Sequence, residues 1–203
     1  MLELGQPLHI FDRSLIKGSE LKIHRITKEQ SFVTLDDVDR TLTTDDTVIS
    51  DQEKPLVIAG IMGGANSGVQ DNTTQIFIEV ANWQAAEVRH TSTRLGLRTD
   101  SSARFEKSLD SSLCERTLLR TYEFLKEFCP EVKVRGSIVS DGVDLTPAPI
   151  LKIETSVESI ERQLGKQVGE AKIKDILTRL DFNPEGGSTF KVTVPSYRAT
   201  KDV

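Results

Sequence analysis

The sequence has little cysteine and no long apolar run, and each shortage excludes a class of protein. Cys114 and Cys129 are the two cysteines among 203 residues. They lie about four turns apart on one predicted helix, too distant for a disulfide and too few for a zinc site. No apolar stretch approaches the roughly 18 residues that a membrane-spanning helix needs, and no basic-then-apolar leader precedes residue 20. We therefore expect a cytoplasmic protein without membrane contact.

An excess of positive charge is also missing, which argues against non-specific binding of nucleic acid over the whole surface. The formal net charge is -5, so any site for a nucleic acid must be local. One segment, Arg94 to Lys107, carries three arginines and a lysine within fourteen residues. Such a segment indicates an anion site, although basic residues on a solvated helix face would give the same composition.

Several catalytic and nucleotide-binding patterns are missing as well. The glycine-rich segment Gly60 to Gly68 lacks the Gly-Lys-Ser/Thr of a P-loop and the spacing of a dinucleotide fingerprint. Its paired glycines would allow close backbone approach to a ligand, or they form an ordinary turn after a strand. The acidic clusters at 36–39 and 43–46 lack the glycine and distant glutamate of an EF-hand. No Ser-His-Asp or Cys-His set indicates a covalent nucleophile, and no ligand cluster indicates a metal-activated water.

The sequence pattern of the first part of the chain predicts an α+β domain. Short apolar or alternating runs between turn residues predict strands at 21–26, 31–35, 55–59, 75–80, 132–135 and 138–139. The pattern predicts a helix from Asn82 to Leu95 that ends at Gly96. It predicts another through Phe128 that starts at a Ser112–Glu115 capping box and buries Leu118, Tyr122 and Leu125 in the core.

Residues 144–149 contain two prolines and are the expected interdomain linker. After them, the pattern predicts a strand at 150–153, and a capping box at 155–158 that starts a helix ending at Gly165. A helix over 170–180, a turn at 184–187 and a strand over 190–194 follow. This order is compatible with a small winged-helix-like module, but that half of the chain has no concentrated basic face.

Three segments in the first domain resemble bacterial phenylalanyl-tRNA synthetase beta subunits, in the module that edits mischarged tRNA. They are Gly5-Gln-Pro-Leu-His-Ile-Phe-Asp12, Ala59-Gly-Ile-Met-Gly-Gly64 and Arg94 to Lys107. A fourth, Val194-Pro-Ser-Tyr-Arg198, is similar to the domain that follows in that family. The resemblance implies an α+β fold: a mixed or antiparallel β-sheet editing domain with packed helices over 1–146, then a winged-helix-like α+β domain over 150–203, truncated at its C-terminus. Since a Thr-Asn pair and most of an acidic run of the family are absent, we expect a fragment of a longer polypeptide.

The same resemblance implies an editing pocket around Glu79. This glutamate lies in an apolar strand, where a carboxylate is either paired, used, or turned to the solvated face of the strand. In the family, a glutamate at this position and a glycine matching Gly63 recognise the phenolic hydroxyl of misattached tyrosine. Gly64 and Ser101 correspond to further residues of the pocket wall. His9 corresponds to a histidine of the site that positions the water or the terminal adenosine, and His9 and Glu79 are the predicted catalytic pair.

The resemblance also predicts tRNA contacts and the partners of the whole enzyme. The arginines expected to contact tRNA are Arg89, Arg94, Arg98 and Arg104. Asp202 begins an acidic run that contacts magnesium in the family, so it is a predicted metal residue of the full-length enzyme. We expect no cofactor in this fragment, whereas ATP and magnesium serve the full enzyme. The predicted partners are tRNA(Phe) and an alpha subunit, in a heterotetramer.

Three functions follow from these observations. The first is post-transfer editing, the hydrolysis of tyrosine misattached to tRNA(Phe), inside a ligase whose amino-acid activation these residues do not perform. The second is a non-catalytic tRNA-binding or subunit-scaffolding module. The third is a nucleic-acid-binding regulator built on the last fifty or so residues. The weak basic character of those residues argues against it.

Overall fold

The computed structural model describes residues 1–141 and 150–198. It divides into two compact units, the first ending at Ile138 and the second beginning at Val139. The predicted linker at 144–149, the predicted domain limit at residue 146 and Asp202 lie outside the described residues.

The first unit contains eight strands, three α-helices and a 3-10 helix (Arg13–Leu15) among its described residues. The strands are β1 (His9–Asp12), β2 (Lys22–Arg25), β3 (Gln30–Val33), β4 (Asp39–Leu42), β5 (Thr47–Ser50), β6 (Pro55–Ile58), β7 (Met62–Gly63) and β8 (Ile76–Glu79). The helices are α1 (Ala85–Arg94), α2 (Asp100–Phe105) and α3 (Leu113–Phe128). Every strand pair is antiparallel. A four-stranded sheet has the order β2-β5-β6-β7, and β1-β8 and β3-β4 form two-stranded sheets.

The four-stranded sheet separates two hydrophobic clusters. Val48 and Ile49 are consecutive on β5 and join different clusters, as expected when side chains alternate across a strand. The Val48 cluster includes Val88 of α1 and Phe105 of α2. The Ile49 cluster includes Phe11 of β1. Helices α1 and α2 therefore pack on one face of the sheet, and the β1-β8 pair packs on the other.

Most predicted elements of the first unit are confirmed, with small changes at their ends. The predicted strands at 21–26, 31–35, 55–59 and 75–80 correspond to β2, β3, β6 and β8. The helix predicted from Asn82 starts at Ala85, and Gly96 follows it in the left-handed region at φ 59°. The strands predicted at 132–135 and 138–139 do not form. Helix α2 was not predicted; Thr99 and Ser102 cap its start reciprocally.

Two expectations about α3 are wrong. Ser112 has helical backbone angles and makes no side-chain cap, so the predicted capping box does not form. Instead, the Asp110 carboxylate accepts a hydrogen bond from the Ser112 amide at 2.9 Å. The predicted stripe is not in a core either: Leu118 and Leu125 are half-buried, Tyr122 is 36% exposed, and the buried residue of this helix is Thr117.

The described part of the second unit is a three-stranded antiparallel sheet with two α-helices and a 3-10 helix (Ser196–Arg198). Its elements are β9 (Lys152–Ser156), α4 (Val157–Leu164), α5 (Glu170–Arg179), β10 (Asn183–Gly186) and β11 (Thr189–Thr193), and its sheet order is β10-β11-β9. Ile173, Phe190 and Val192 form its core. The cap of α4 is Ser156 rather than the predicted Thr155, and the segment predicted as a turn at 184–187 is mostly strand β10.

The predicted α+β class is confirmed, with antiparallel sheets and helices in both units. Within the described ranges, no helix is both long and apolar enough to cross a membrane.

Candidate functional site

The pairing of β1 with β8 brings the two predicted catalytic residues together. In this antiparallel pair His9 lies directly opposite Glu79, and Phe11 lies opposite Phe77. Residues in register across an antiparallel pair project from the same face of the sheet. The His9 ring meets the Phe11 ring edge to face, with 4.5 Å between centroids. Phe11 is fully buried, so it holds His9 against the core beside Glu79.

Glu79 is a half-buried carboxyl group without a neutralising partner. Its side chain makes no hydrogen bond and no ion pair with any residue in the described part of the chain. Burial removes water from the carboxylate and raises the pKa of Glu79 to about 7. Near neutral pH, Glu79 is therefore divided between its protonated and ionised forms.

His9 is the second unpaired polar group of this face. Its Nε2 atom is buried and has no hydrogen-bond partner among the described residues. Burial lowers the pKa of the His9 imidazole below its ordinary value. The ring is therefore neutral at physiological pH and can present either a donor or an acceptor, depending on its tautomer.

Gly63 on β7 leaves the space that the His9 ring occupies. A Cβ atom placed on Gly63 would overlap the Cε1 atom of His9 and lie 2.9 Å from its Nε2 atom. A larger residue would therefore displace the imidazole. Because Gly63 has no side chain, its backbone lies against the His9 ring. Close approach of the backbone is what the paired glycines were predicted to allow.

The other two predicted pocket residues have different surroundings. A Cβ on Gly64 would lie 2.7 Å from the ring of Phe32, so the α-carbon of Gly64 packs against a core residue. Ser101 is half-buried in the first turn of α2 and makes no side-chain hydrogen bond within the described ranges. The Thr99 hydroxyl donates to the Ile61 carbonyl at 2.9 Å and fixes the start of α2 beside the β6-β7 turn.

Gln6 and Thr117 are buried polar side chains that sequence reasoning missed. Gln6 is fully buried, and its Nε2 donates to the Ala81 carbonyl at 2.8 Å while its Oε1 has no partner among the described residues. Thr117 on α3 is 3% exposed, and its hydroxyl is also unpaired there. Gln6 could have been found from the Gly5–Asp12 motif. Thr117 has no local sequence signal, because the helical pattern of α3 does not show that a threonine is its buried residue.

The four predicted tRNA-contacting arginines differ in their partners. Arg94 donates to the Thr41 carbonyl at 3.2 Å and forms an ion pair with the fully buried Asp46. Arg89 donates to the Glu106 carbonyl at 2.9 Å, and Arg98 pairs with the Glu106 carboxylate at 2.8 Å. These contacts tie the three guanidinium groups to the domain itself.

Arg104 is exposed, and its Nη1 atom is 3.3 Å from the position of a Cβ on Gly5, in the turn before β1. No hydrogen bond or ion pair joins its guanidinium to another described residue. Of the four, Arg104 therefore has a guanidinium that is open to an anion near the β1-β8 pair.

No group of three His, Cys, Asp or Glu side chains that could hold a metal is present in residues 1–141 and 150–198. The predicted metal residue, Asp202, is not among them.

Comparison with known proteins gives matches over both units. Residues 1–130 match the B3/4 domain, and residues 153–203 match the tRNA synthetase B5 domain. The phenylalanine-tRNA ligase beta subunit of Solibacter usitatus is 39% identical over 206 residues, covering 100% of this chain and 26% of that protein. The corresponding subunit of Clostridium tetani is 36% identical over 202 residues, covering 98% of this chain and 25% of that protein. The chain thus spans about a quarter of the length of these relatives.

Among solved structures, an N-terminal fragment of the phenylalanyl-tRNA synthetase beta subunit from Pyrococcus horikoshii aligns with this chain. The alignment covers 97% of this chain and 55% of that chain, at 16% identity and a TM-score of 0.45.

Proposed function

The chain belongs to the family of phenylalanine-tRNA ligase beta subunits, and from that membership we propose that its B3/4 domain hydrolyses tyrosine misattached to tRNA(Phe). The observation that carries the proposal is the pairing of His9 with Glu79 across β1 and β8. Both side chains are desolvated, and neither the Glu79 carboxyl nor the His9 Nε2 has a partner among the described residues. Groups of this kind at one place are typical of a functional site.

Glu79 would recognise the phenolic hydroxyl of the misattached tyrosine by a hydrogen bond. A synthetic site shaped for phenylalanine rejects an analogue with one added hydroxyl by only about a hundredfold. A second site that forms a hydrogen bond with the hydroxyl favours tyrosine over phenylalanine, because phenylalanine would leave the buried carboxyl unpaired. A lone half-buried carboxyl group on β8 supplies that contact.

His9 would orient the attacking water or the terminal adenosine, with its ring held between Phe11 and the backbone of Gly63. A neutral imidazole accepts a hydrogen bond from water without repelling a cationic α-amino group. The water attacks the ester carbonyl and the bond to the ribose oxygen breaks, which releases tyrosine and leaves a free hydroxyl on the tRNA. Proximity and a neighbouring ribose hydroxyl would supply most of the acceleration, as predicted from the absence of a strong general base.

We propose that the acceptor end of tRNA(Phe) reaches this face over Arg104, whose guanidinium lies beside the turn that leads to His9. Arg89 and Arg98 would contribute at the edge of the site. In the whole enzyme we expect pairing with an alpha subunit in a cytoplasmic heterotetramer, with ATP and magnesium used for amino-acid activation elsewhere in the complex.

The test compares deacylation of tyrosyl-tRNA(Phe) with that of phenylalanyl-tRNA(Phe), using the two-subunit enzyme that contains this chain. Loss of one hydrogen bond to a charged group predicts that Glu79→Ala slows tyrosyl-ester hydrolysis by about 10- to 100-fold. His9→Ala should slow hydrolysis while retaining the preference for tyrosine. Glu29→Ala is the matched control, because Glu29 is an exposed glutamate in the turn before β3.

The alternative function is a non-catalytic tRNA-binding or subunit-scaffolding module. A parent enzyme that hydrolyses neither ester above the uncatalysed rate, yet binds tRNA(Phe), would reject editing and support this alternative. Unchanged tyrosyl selectivity in Glu79→Ala would reject the role of Glu79.

A further inference from the structure

The turn between β3 and β4, residues 34–38, lies on the strand that contains Gly63. The Leu35 amide donates to the Gly63 carbonyl at 3.0 Å, and the residue before it forms an antiparallel bridge with Gly64. The backbone of Gly63 also lies against the His9 ring. These contacts bring the β3-β4 turn to the edge of the candidate site.

The Leu35 side chain lies beside the His9 ring. The position of a Cβ atom on Gly63 is 3.1 Å from Leu35 Cδ1 and 2.9 Å from His9 Nε2. Two side chains that approach one point this closely are near neighbours. The other methyl group of Leu35, Cδ2, is 3.4 Å from the corresponding position on Gly68. The missing side chains of Gly63 and Gly68 therefore leave the space in which Leu35 and His9 lie together.

Leu35 adjoins a buried polar atom but is itself 49% exposed. Single exposed leucines are common on protein surfaces and by themselves indicate no function. This one lies next to His9 Nε2, which is buried and has no hydrogen-bond partner among the described residues. Ligand sites combine apolar walls with a few polar groups in this way. Leu35 thus presents an apolar surface at the place where a polar atom of the site lacks a partner.

Side-chain contacts hold the β3-β4 turn in place. Thr34 is fully buried, and its hydroxyl donates to one carboxylate oxygen of Asp36. Arg40 pairs with the other oxygen at 2.7 Å and also donates to the Thr34 hydroxyl at 3.0 Å. A longer contact of 3.5 Å joins Arg40 to the Leu95 carbonyl, just after α1. The Leu35 side chain therefore starts from a fixed backbone.

The charges around Leu35 favour one kind of ligand. Asp36 and Asp37 follow it directly, and both are exposed. Arg40 offsets the charge of Asp36, so the carboxylate of Asp37 leaves the turn negative. Negative charge disfavours a phosphate group beside Leu35 and favours a neutral or cationic group. A tyrosyl ester has a neutral aromatic ring and a cationic α-amino group, whereas the terminal adenosine of a tRNA is joined to a phosphate.

We propose that Leu35 is a specificity-determining residue of the candidate site, where its exposed face forms an apolar wall beside His9 for the aromatic ring of the aminoacyl group. This inference rests on the proposed editing function. Contact between the ring and the leucine removes apolar surface of both from water. The wall selects aromatic aminoacyl groups as a class, and the choice of tyrosine over phenylalanine stays with Glu79.

The first experiment tests ligand contact without any editing assay. Leu35→Cys is introduced into the two-subunit enzyme, and alkylation of the new thiol by iodoacetamide is read by peptide mass spectrometry. Saturating L-tyrosinamide should abolish most of this labelling, and adenosine should not. Val38→Cys is the matched control, because Val38 is 44% exposed in the same turn and its labelling should not respond. Equal labelling with and without L-tyrosinamide, or protection by adenosine alone, would overturn the wall.

The second experiment measures tyrosyl-ester hydrolysis in the two-subunit enzyme. Because a single methylene in a pocket changes selectivity by roughly 10- to 200-fold, Leu35→Ala should raise the KM for tyrosyl-tRNA(Phe) at least about tenfold, with a smaller effect on kcat. Leu35→Met keeps an apolar side chain of similar volume and should retain the parent KM. Val38→Ala is the control. A half-exposed leucine contributes little to a core, so urea unfolding of Leu35→Ala should stay close to that of the parent, which a structural role would not allow.

The outcomes separate this inference from the proposed function. Tyrosyl hydrolysis in the parent with an unchanged KM in Leu35→Ala would overturn the role of Leu35 and leave editing intact. A parent without hydrolysis would reject editing; protection of the thiol in Leu35→Cys by L-tyrosinamide would then support an aromatic-binding wall. Absence of both hydrolysis and protection would overturn both proposals.

Discussion

At the scale of single residues, the raised pKa of Glu79 links the candidate site to stability. The ordinary pKa of this carboxyl is 4.5, and burial raises it to about 7 in the folded protein. Between these values the folded state binds more protons than the unfolded state, so the free energy of unfolding falls as pH rises. The loss begins above the ordinary pKa and is complete once pH passes the folded pKa. Its upper limit is about 3 kcal/mol, from about 1.4 kcal/mol per pH unit.

We therefore expect Glu79→Gln to remove this pH dependence. The variant and the parent should have similar free energies of unfolding near pH 4.5. From there to about pH 7 the free energy of unfolding of the variant should rise relative to that of the parent, and the difference should persist at higher pH. Urea unfolding at several pH values measures the difference. Glu29→Gln, at an exposed glutamate, should follow the parent. Parallel curves for the parent and Glu79→Gln would show that Glu79 is hydrated and not desolvated.

The sequence could predict some residues of the site because their surroundings are local. Glu79 was identified from its place in an apolar strand, and His9 and Gly63 from segments that resemble a known family. Their mutual distances depend on the pairing of β1 with β8, and the 63 residues from 13 to 75 separate these two strands in the sequence. Thr117 is the buried residue of α3, and its own sequence neighbourhood carries no signal of that burial.

At the scale of elements, Arg94 joins the end of α1 to the turn between β4 and β5. Its partner, Asp46, is fully buried and also accepts hydrogen bonds from the Thr91 hydroxyl at 2.8 Å and the Thr43 amide at 2.7 Å. Burial alone would raise the pKa of Asp46, but the hydrogen bonds from Arg94, Thr43 and Thr91 hold it below its ordinary value. The carboxylate is thus ionised and depends on the guanidinium.

Arg94→Met should therefore destabilise the first unit by about 3–5 kcal/mol, because it leaves a buried charge without its partner. Adding Asp46→Asn should recover part of the loss, since a neutral amide needs no counterion. Chemical denaturation of the parent, both single variants and the double variant measures the coupling. A change in tRNA binding without a change in stability in Arg94→Met would contradict this structural role of Arg94 and support its predicted contact with tRNA.

Other elements show where local patterns fail. The segment at 184–187 has the proline and glycines of a turn, yet β10 forms there because it is an edge strand, where a proline need not donate to a neighbour. Residues 132–135 and 138–139 have an apolar pattern suitable for strands but no strand pairs with them in the described structure. The stripe of α3 has helical spacing, which predicts the helix correctly, but the spacing does not determine how much of the stripe is covered.

At the scale of the whole molecule, the sequence predicted two domains from a change in pattern and two prolines near residue 147. The structure has two compact units, each with hydrophobic residues of its own. The short motifs near the start of the chain lie in the first unit together with Glu79. The predicted boundary itself falls in residues 142–149, outside the described ranges.

The separate cores predict that the two units lose structure separately. Phe190 is fully buried in the second unit and packs with Ile173 and Val192. Phe190→Ala should cost this unit about 3–5 kcal/mol, which is a large share of the stability of so small a core. Hydrogen exchange read by mass spectrometry should show faster exchange in β9 and β11 and unchanged exchange in β5 and β6. Ile58→Ala, in the first unit, should give the reverse pattern. Loss of protection in both units from either variant would show that the two units unfold as one cooperative molecule. A destabilised second unit would then also lower the stability of the Glu79 site.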